Sequence, residues 1–347
     1  MKRYILLISF FILLLPVISQ DTDVGKKKKQ AEQLFNQAVE FIQKQDYQTA
    51  IAELDRAIQL DPVFSQAYLQ RGKSLFQLQN GNLAISDFDK AIELNPGLGE
   101  AYFCRAFTKL TLDNSGVQLE DLDNAIKHGY AEPHVYYYRG LVRLIRDDNE
   151  GAITDFSKAI ESRPNYAKAY HDRGTAKKRT GDYQGAIYDF RMALSYDPKI
   201  KVAYDNMGSS KKLIGDFQSA DKDFSMAIAL DSSFYMAYNN RGGARLVLGD
   251  IDAAKADFEK ALELNPGYLY AICNMGNVYA KKGEFEKALE LYDQVIASLP
   301  EYGIAYLNRG LTKELTGDLQ GACLDWKFAS ELGIQDAEKY LKECDQQ

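Results

Sequence analysis

The chain has 347 residues, of which 46% are hydrophobic, 26% are charged and only 8 are proline, a balance that excludes wholesale disorder and collagen-like or low-complexity structure. Its formal net charge of -7 at pH 7 has the wrong sign for a protein that gains affinity by neutralising phosphates, so we expect no nucleic-acid partner. The four cysteines and three histidines have no recognisable metal-ligand spacing, and we expect neither a structural metal nor a cofactor.

Residues 1–19 have the pattern of an export signal. Lys2 and Arg3 precede an apolar run from Tyr4 to Leu15, which a proline ends, and small or aliphatic residues follow up to Ser19. We expect cleavage after Ser19. A membrane anchor would need about 18 or more uninterrupted apolar residues, which is longer than this run.

The segment at residues 20–30 contains four consecutive lysines, and we expect it to be a flexible tether outside the fold. No cysteine follows the apolar run, so a lipid anchor is not indicated either. We therefore expect an exported protein, periplasmic or secreted, with no stable membrane anchor after the signal is removed.

From residue 31 onward the sequence repeats every 34 residues without an insertion. The eighth position of each repeat is small: Ala38, Gly72, Ala106, Gly140, Gly174, Gly208, Gly242, Gly276 and Gly310. Position 20 is almost always alanine, position 24 is always large and position 27 is almost always alanine. These spacings of three and four residues predict two amphipathic helices per repeat. Glycine is expected to end the first helix, and a proline at position 32 of most repeats is expected to end the second.

This pattern resembles the tetratricopeptide repeat, and the resemblance covers residues 31–336. It implies an all-α, right-handed superhelical solenoid of nine antiparallel helix pairs, whose first helices line a concave groove, and a C-terminal capping helix within 335–347. The related pentatricopeptide repeat, which reads RNA, fits neither the period nor the acidic charge. Outside the repeats only short segments remain and they carry no catalytic motif, so we expect no enzyme.

Position 23 lies among the buried alanines of the second helix, and yet it is acidic in most repeats: Asp87, Asp121, Asp155, Asp189, Asp223, Asp257 and Asp325. In the same repeats the first helix carries arginine or lysine at position 7, position 11 or both. The eighth repeat loses all of these charges together, with Met275, Tyr279 and Leu291. Because a buried carboxylate needs a partner, we predict an ion pair that joins the two helices within most repeats.

Ligands of the tetratricopeptide family usually contact positions 2, 5, 6, 9, 12 and 13, which implies three zones on the groove. Repeats one to four are mostly apolar, and their candidate binding residues are Phe103, Phe107 and Tyr137. The fifth repeat is basic, with Lys168, His171, Lys178 and Arg179, and could receive an acidic ligand segment. Two alternatives stay open, namely that packing between neighbouring first helices buries the apolar residues, and that the basic residues form only a solvated face.

The last four repeats carry asparagine at position 6: Asn206, Asn240, Asn274 and Asn308. This run resembles the asparagine ladder in the superhelix of O-linked N-acetylglucosamine transferase, which implies that the side-chain amides bind the backbone of an extended peptide. An amide can donate and accept at once, so it pairs with a peptide group whatever side chain that residue carries. The alternative is that these asparagines only bond to the neighbouring helix.

The cysteines suggest one disulfide in the C-terminal cap. Cys323 lies ten residues before a turn expected near Gly333, and Cys344 lies eleven after it, so a helical hairpin brings them together. Export would permit oxidation. Cys104 and Cys273 are five repeats apart, on the order of 50 Å at ~10 Å per packed helix, and we expect both to be buried free thiols.

Together these features predict a non-enzymatic scaffold that binds an extended segment of a partner protein in its groove. The alternative is a structural component of a cell-envelope assembly or transport complex. A carbohydrate-binding or enzymatic role would call for aromatic platforms or paired carboxylates on the groove, and aromatic residues occur there only in repeats three and four.

Overall fold

The computed structural model describes residues 15–112 and 118–344, and within these ranges all regular secondary structure is helical. The chain divides into two compact units, Met1–Ser162 and Arg163–Gln347. The predicted signal peptide falls mostly on residues 1–14, which lie outside the described residues, so its cleavage stays a prediction.

Both units consist of short helices in tandem. The helices of the first unit are α1 (Leu15–Gln43), α2 (Tyr47–Leu60), α3 (Ser65–Gln77), α4 (Gly81–Leu94), α5 (Gly99–Thr111), α6 (Gln118–Lys127), α7 (Pro133–Ile145) and α8 (Asn149–Ser162). Those of the second unit are α9 (Ala167–Arg179), α10 (Tyr183–Tyr196), α11 (Lys201–Leu213), α12 (Phe217–Leu230), α13 (Tyr235–Leu248), α14 (Ile251–Leu264), α15 (Leu269–Lys281), α16 (Phe285–Ser298), α17 (Gly303–Leu315), α18 (Leu319–Glu331) and α19 (Ala337–Cys344). Each odd-numbered helix from α1 to α17 packs on the helix that follows it, which confirms the predicted all-α fold of tandem helix pairs. In the part of the chain that the structure describes, no helix has the length and apolarity needed to span a membrane.

The small residue at position 8 sets how closely the two helices of a pair approach. A Cβ atom added to Gly72 would lie 2.6 Å from the Phe88 ring, and one added to Gly242 would lie 2.7 Å from the Phe258 ring. Both rings are almost fully buried. The absence of a side chain on the first helix therefore makes the space that the large residue at position 24 fills.

The turns within the pairs follow the expected chemistry with one exception. Gly181 and its equivalents have a left-handed backbone, with φ of 87° at Gly181. Asp182, Asp216 and Asp318 then cap the second helix, each accepting a hydrogen bond from the backbone N–H three residues later. Asp250, at the equivalent position before α14, makes no such side-chain bond.

The structure contradicts the prediction of a flexible tether before the first repeat. Residues 20–30 lie within α1, which runs without interruption into the first repeat, rather than forming an irregular segment. Lysine favours helix well, and the packed part of α1 already provides the nucleus on which the helix extends. A pair between Lys27 Nζ and Asp23 Oδ2 at 3.2 Å, four residues apart, adds local support.

The predicted cap and disulfide are both present. Helix α19 packs on α18, with Ala337 fully buried and Tyr340 stacked on Trp326 at 5.0 Å between ring centroids. Cys323 and Cys344 are bonded, with 5.9 Å between their Cα atoms. The other two cysteines are free, and Cys273 is buried whereas Cys104 is only half-buried.

The predicted ion pairs are confirmed within the repeats. Arg71 donates from Nε and Nη2 to the two carboxylate oxygens of Asp87, at 2.8 and 2.7 Å. The same two-pronged geometry holds between arginine at position 7 and aspartate at position 23 for Arg105–Asp121, Arg139–Asp155, Arg173–Asp189, Arg241–Asp257 and Arg309–Asp325. In the sixth repeat Lys211 lies 2.6 Å from Asp223 instead. The uncharged trio of the eighth repeat packs in an apolar cluster, as expected.

The arginine at position 7 also bonds to the preceding repeat, a contact that the repeat pattern does not predict. Nη1 of Arg71 donates to Asp55 at 2.6 Å, and Nη1 of Arg105 donates to Asp89 at 2.6 Å. Equivalent bonds join Arg139 to Asp123, Arg241 to Ser225 and Arg309 to Asp293. The acceptor is always at position 25 of the preceding repeat. One guanidinium therefore ties together three helices, two of its own repeat and one of the repeat before.

Removal of a single charge from this network is expected to be costly. Asp189 is fully buried between Arg173 and Lys177, so Asp189→Ala leaves two cations without their carboxylate and should lower the free energy of unfolding by about 3–5 kcal/mol. The triple variant Asp189→Leu, Arg173→Met, Lys177→Tyr copies the eighth repeat and should stay within about 1 kcal/mol of the original chain, because no charge is left unpaired. Urea unfolding of both variants tests this, and equal destabilisation would contradict the pairing.

Counting the reactive thiols tests the disulfide between Cys323 and Cys344 in the C-terminal cap. The denatured, unreduced chain should show two reactive thiols, those of Cys104 and Cys273. The variant Cys323→Ser with Cys344→Ser should lower the stability of the C-terminal cap by about 3 kcal/mol, the chain-entropy value for a loop of this size. Four reactive thiols, or a double variant as stable as the original chain, would contradict the cross-link.

Candidate functional site

The first helices of the second unit present a polar surface. We call it the ladder face and define it by the side chains at positions 5, 6, 9, 12 and 13 of helices α9, α11, α13, α15 and α17. Successive helices of this set contact one another. The four predicted asparagines lie on this face, and each is half-buried.

Each of these asparagines contacts position 5 of the preceding first helix. Nδ2 of Asn240 donates to Asp205 Oδ1 at 2.9 Å, and Nδ2 of Asn274 donates to Asn239 Oδ1 at 2.8 Å. The same contact is weaker for Asn308, with Cys273 Sγ at 3.8 Å, and for Asn206, with His171 Nε2 at 3.4 Å. The alternative left open by the sequence, bonding to the neighbouring helix, therefore accounts for one N–H of each amide.

That contact fixes the direction in which each amide points. Asn274 Oδ1 lies 3.4 Å from Asn277 Nδ2, and Asn206 Oδ1 accepts a hydrogen bond from Lys178 Nζ at 3.0 Å. Among the described residues, Oδ1 of Asn240 and of Asn308 has no hydrogen-bond donor. An amide with one N–H held by the protein keeps its carbonyl oxygen and its second N–H for a ligand.

Three half-buried charged side chains lie close together on the ladder face, namely Lys178 and Lys212 at position 12 and Asp205 at position 5. Burial lowers the pKa of Lys178 and of Lys212, because the low-dielectric surroundings disfavour the charged amine. Burial likewise raises the pKa of Asp205, against the hydrogen bond from Asn240 and the attraction of the two lysines. Nζ of Lys212 makes no hydrogen bond or ion pair within the described residues.

The basic candidates of the fifth repeat occupy different environments. Lys168 is exposed, and His171 is held with its Nδ1 2.9 Å from Asp172 Oδ1. Arg179 is exposed at the end of α9 and has its own interactions. Lys178 of the same repeat is half-buried, and so is Lys212 of the next repeat, which the sequence did not single out. Their position 12 is one of the ligand-facing positions of the family, which is the signal that could have singled out Lys212.

The aromatic candidates of the first unit do not form an open platform. Phe103 is 9% exposed and Tyr137 is 8% exposed, so both belong to the core rather than to a binding surface. Phe107 is half-buried and stacks on Phe103 at 5.8 Å between centroids. The burial of Phe103 and Tyr137 argues against a ligand contact for these two, whereas the prediction for Phe107 stays open. Neighbouring first helices approach closely enough for large rings to fill the space between them, as the other alternative anticipated.

A cavity of about 520 Å³ opens beside the ladder at its C-terminal end. Its lining includes Leu246, Val247, Ala280, Leu311 and Leu315 from three successive first helices, together with the amides of Asn277 and Asn308. The hydroxyl of Tyr292 donates to Asn277 Oδ1 at 2.7 Å and so fixes that amide. The cavity thus combines an apolar wall with a short polar edge.

The described residues contain no group of three or more His, Cys, Asp or Glu side chains that is arranged to hold a metal ion.

Sequence models of the tetratricopeptide repeat match several parts of the chain. Models described as tetratricopeptide repeat match residues 65–98 and 167–200, 214–268, and 246–308. A further model, described as TPR repeat, matches residues 40–79. No curated protein matches the chain in sequence.

Solved structures share the fold at low sequence identity. A tetratricopeptide repeat protein from Parabacteroides merdae is 16% identical, with a TM-score of 0.60 over 70% of this chain and 97% of its own. The Cut9–Hcn1 hetero-tetramer of the APC/C is 16% identical, with a TM-score of 0.58 over 84% of this chain and 59% of the matched one. YrrB, described as a TPR protein with an unusual peptide-binding site, is 19% identical, with a TM-score of 0.51 over 53% of this chain and 95% of its own.

The family models match within both units, and the helix pairs follow the same period of 34 residues. The chain is therefore a tetratricopeptide repeat protein.

Proposed function

We propose that this chain is a non-enzymatic scaffold of nine tetratricopeptide repeats that binds an extended segment of a partner protein across the ladder face. The observation that carries the proposal is the row of position-6 asparagines, each oriented by one bond to the preceding helix and half-open to solvent. We also propose, from the pattern of residues 1–19, that the protein is exported and acts in the periplasm or outside the cell.

The geometry suits an extended peptide for a chemical reason. A peptide backbone presents a carbonyl and an N–H at regular intervals, and a fixed amide can pair with either. Because the asparagines are fixed before binding, the ligand does not have to meet the entropy cost of ordering them. YrrB, which has a related fold, is described as having a peptide-binding site, and this supports the same class of ligand.

The contacts of the asparagines predict which of them can be removed without loss of the fold. Asn240→Ala removes the amide donor from the half-buried carboxylate of Asp205 and should lower the free energy of unfolding by about 1–2 kcal/mol. Asn308→Ala loses only a long contact to sulfur and should cost less than about 0.5 kcal/mol. Urea unfolding measures both, and a larger loss for Asn308→Ala than for Asn240→Ala would contradict this assignment.

Binding is tested with a random 15-residue peptide library displayed on phage and selected on the purified full chain. Selected peptides should bind Asn308→Ala several-fold more weakly than the original chain, because one fixed backbone contact worth about 1 kcal/mol is lost. Asn82→Ala, an exposed asparagine on the second helix α4, is the matched control and should bind unchanged. Failure to select any peptide, or binding that Asn308→Ala leaves unchanged, would overturn the proposal.

A further inference from the structure

We propose that the ladder face carries two side-chain subsites, an ammonium pair for a carboxylate of the bound segment and an apolar pocket for one large aliphatic or aromatic side chain. This inference rests on the proposed function and adds to it a preference for particular side chains in the bound segment. The ammonium pair is Lys178 with Lys212, and the apolar pocket is the cavity lined by Leu246, Val247, Ala280, Leu311 and Leu315.

The ammonium pair is held in place by its surroundings. Lys178 Nζ donates to Asn206 Oδ1 at 3.0 Å, which points the ammonium group along the ladder. Lys212 is the position-12 residue of the next first helix, α11. Gly243 on α13 leaves space open beside the Nζ of Lys212, since a Cβ atom added to this glycine would lie 3.8 Å from that Nζ. An alanine or larger residue at position 243 would begin to cover the amine.

The charges around the pair leave a positive excess. Asp205 is the carboxylate that acts on both lysines, and it already accepts a hydrogen bond from Asn240. Asp172 lies against His171. Two cations therefore face one carboxylate, and neither ammonium group lies within ion-pair distance of an acidic side chain among the described residues. A half-buried ammonium without a partner gains more from an added carboxylate than an exposed one does, because water screens the pair less.

The apolar pocket is open enough to receive a side chain. Val247 is 61% exposed and Leu315 is 65% exposed, although both are large and aliphatic. They lie on opposite sides of α15, so a side chain inserted between them would remove apolar surface of three helices from water at once. The Asn308 amide stands at the edge of the cavity, where it can pair with the backbone of the same ligand residue.

The spacing of the two subsites defines a pattern in the ligand. The ammonium pair lies between α9 and α11, and the pocket is centred on α15. At ~9 Å per packed helix the separation is roughly 20–25 Å. An extended chain advances about 3.3 Å per residue, so the acidic and apolar side chains should be about seven residues apart.

The peptide library described above tests this by its enrichment pattern. Peptides selected on the original chain should be enriched in one Asp or Glu and one Leu, Ile, Phe or Met about seven residues apart, in a single order along the peptide. Selection on Lys212→Met should lose the acidic preference and keep the apolar one. Selection on the double variant Val247→Gln with Leu315→Gln should do the reverse.

Matched variants control for general effects. Lys222→Met removes an exposed lysine from the second helix α12, and Leu83→Gln removes an exposed leucine from α4, and both should leave the enrichment unchanged. A selected peptide should also lose about tenfold or more in affinity for Lys212→Met, and its Glu→Gln form should bind both proteins equally, because it lacks the carboxylate that makes the charge-assisted hydrogen bond.

The outcomes separate this inference from the proposed function. Peptides that bind in an Asn308-dependent way but show no acidic or apolar preference would overturn the two subsites and leave the scaffold proposal standing. A preference that survives Lys212→Met, or that Lys222→Met abolishes equally, would also overturn the ammonium pair. If no peptide is selected at all, the proposed function fails and the subsites fail with it.

Discussion

The fork between arginine at position 7 and aspartate at position 23 is the interaction on which the repeat depends. The aspartate is buried among alanines, where an unpaired carboxylate would be costly, and the guanidinium meets both of its oxygens in one plane. The third arm of Arg71 reaches Asp55 of the preceding repeat, and its guanidinium lies 5.3 Å from the centroid of the Tyr68 ring. The same side chain thus fixes the pairing within a repeat and the docking of that repeat on the one before.

The exceptions follow the same logic. Position 7 is methionine in the sixth and eighth repeats, and position 25 of the repeat before the sixth is Arg191, which is no acceptor, whereas Glu259 keeps a carboxylate before the eighth. In the sixth repeat Lys211 at position 11 takes over the contact to Asp223, and in the eighth repeat apolar side chains take over entirely. The scaffold therefore tolerates an ionic or an apolar core at this site, but the partners change together because a half-removed pair leaves a buried charge.

These ion pairs stabilise the helix pairs without using the side chains of the ladder face. Its asparagines use one N–H to link neighbouring helices, and among the described residues Asn240 and Asn308 keep Oδ1 without a donor, whereas Oδ1 of Asn206 and of Asn274 already has one. Asn240 is the most strongly committed to structure, through Asp205, and Asn308 the least. This difference explains why Asn240→Ala and Asn308→Ala should differ in their effect on stability.

The sequence by itself determined the period, the helix pairs, the buried ion pairs and the Cys323–Cys344 bridge, because each depends on contacts within one hairpin, where the separation along the chain fixes which side chains meet. Only the tertiary structure decided how successive hairpins meet. That packing buries Phe103 and Tyr137, and it turns the amide of Asn240 onto Asp205. It also leaves Lys212 without an ion-pair partner among the described residues and extends the helix of the first repeat through residues 20–30. Contacts between repeats depend on the angle and distance between packed helices, which small differences in side-chain volume set and which a periodic pattern does not specify.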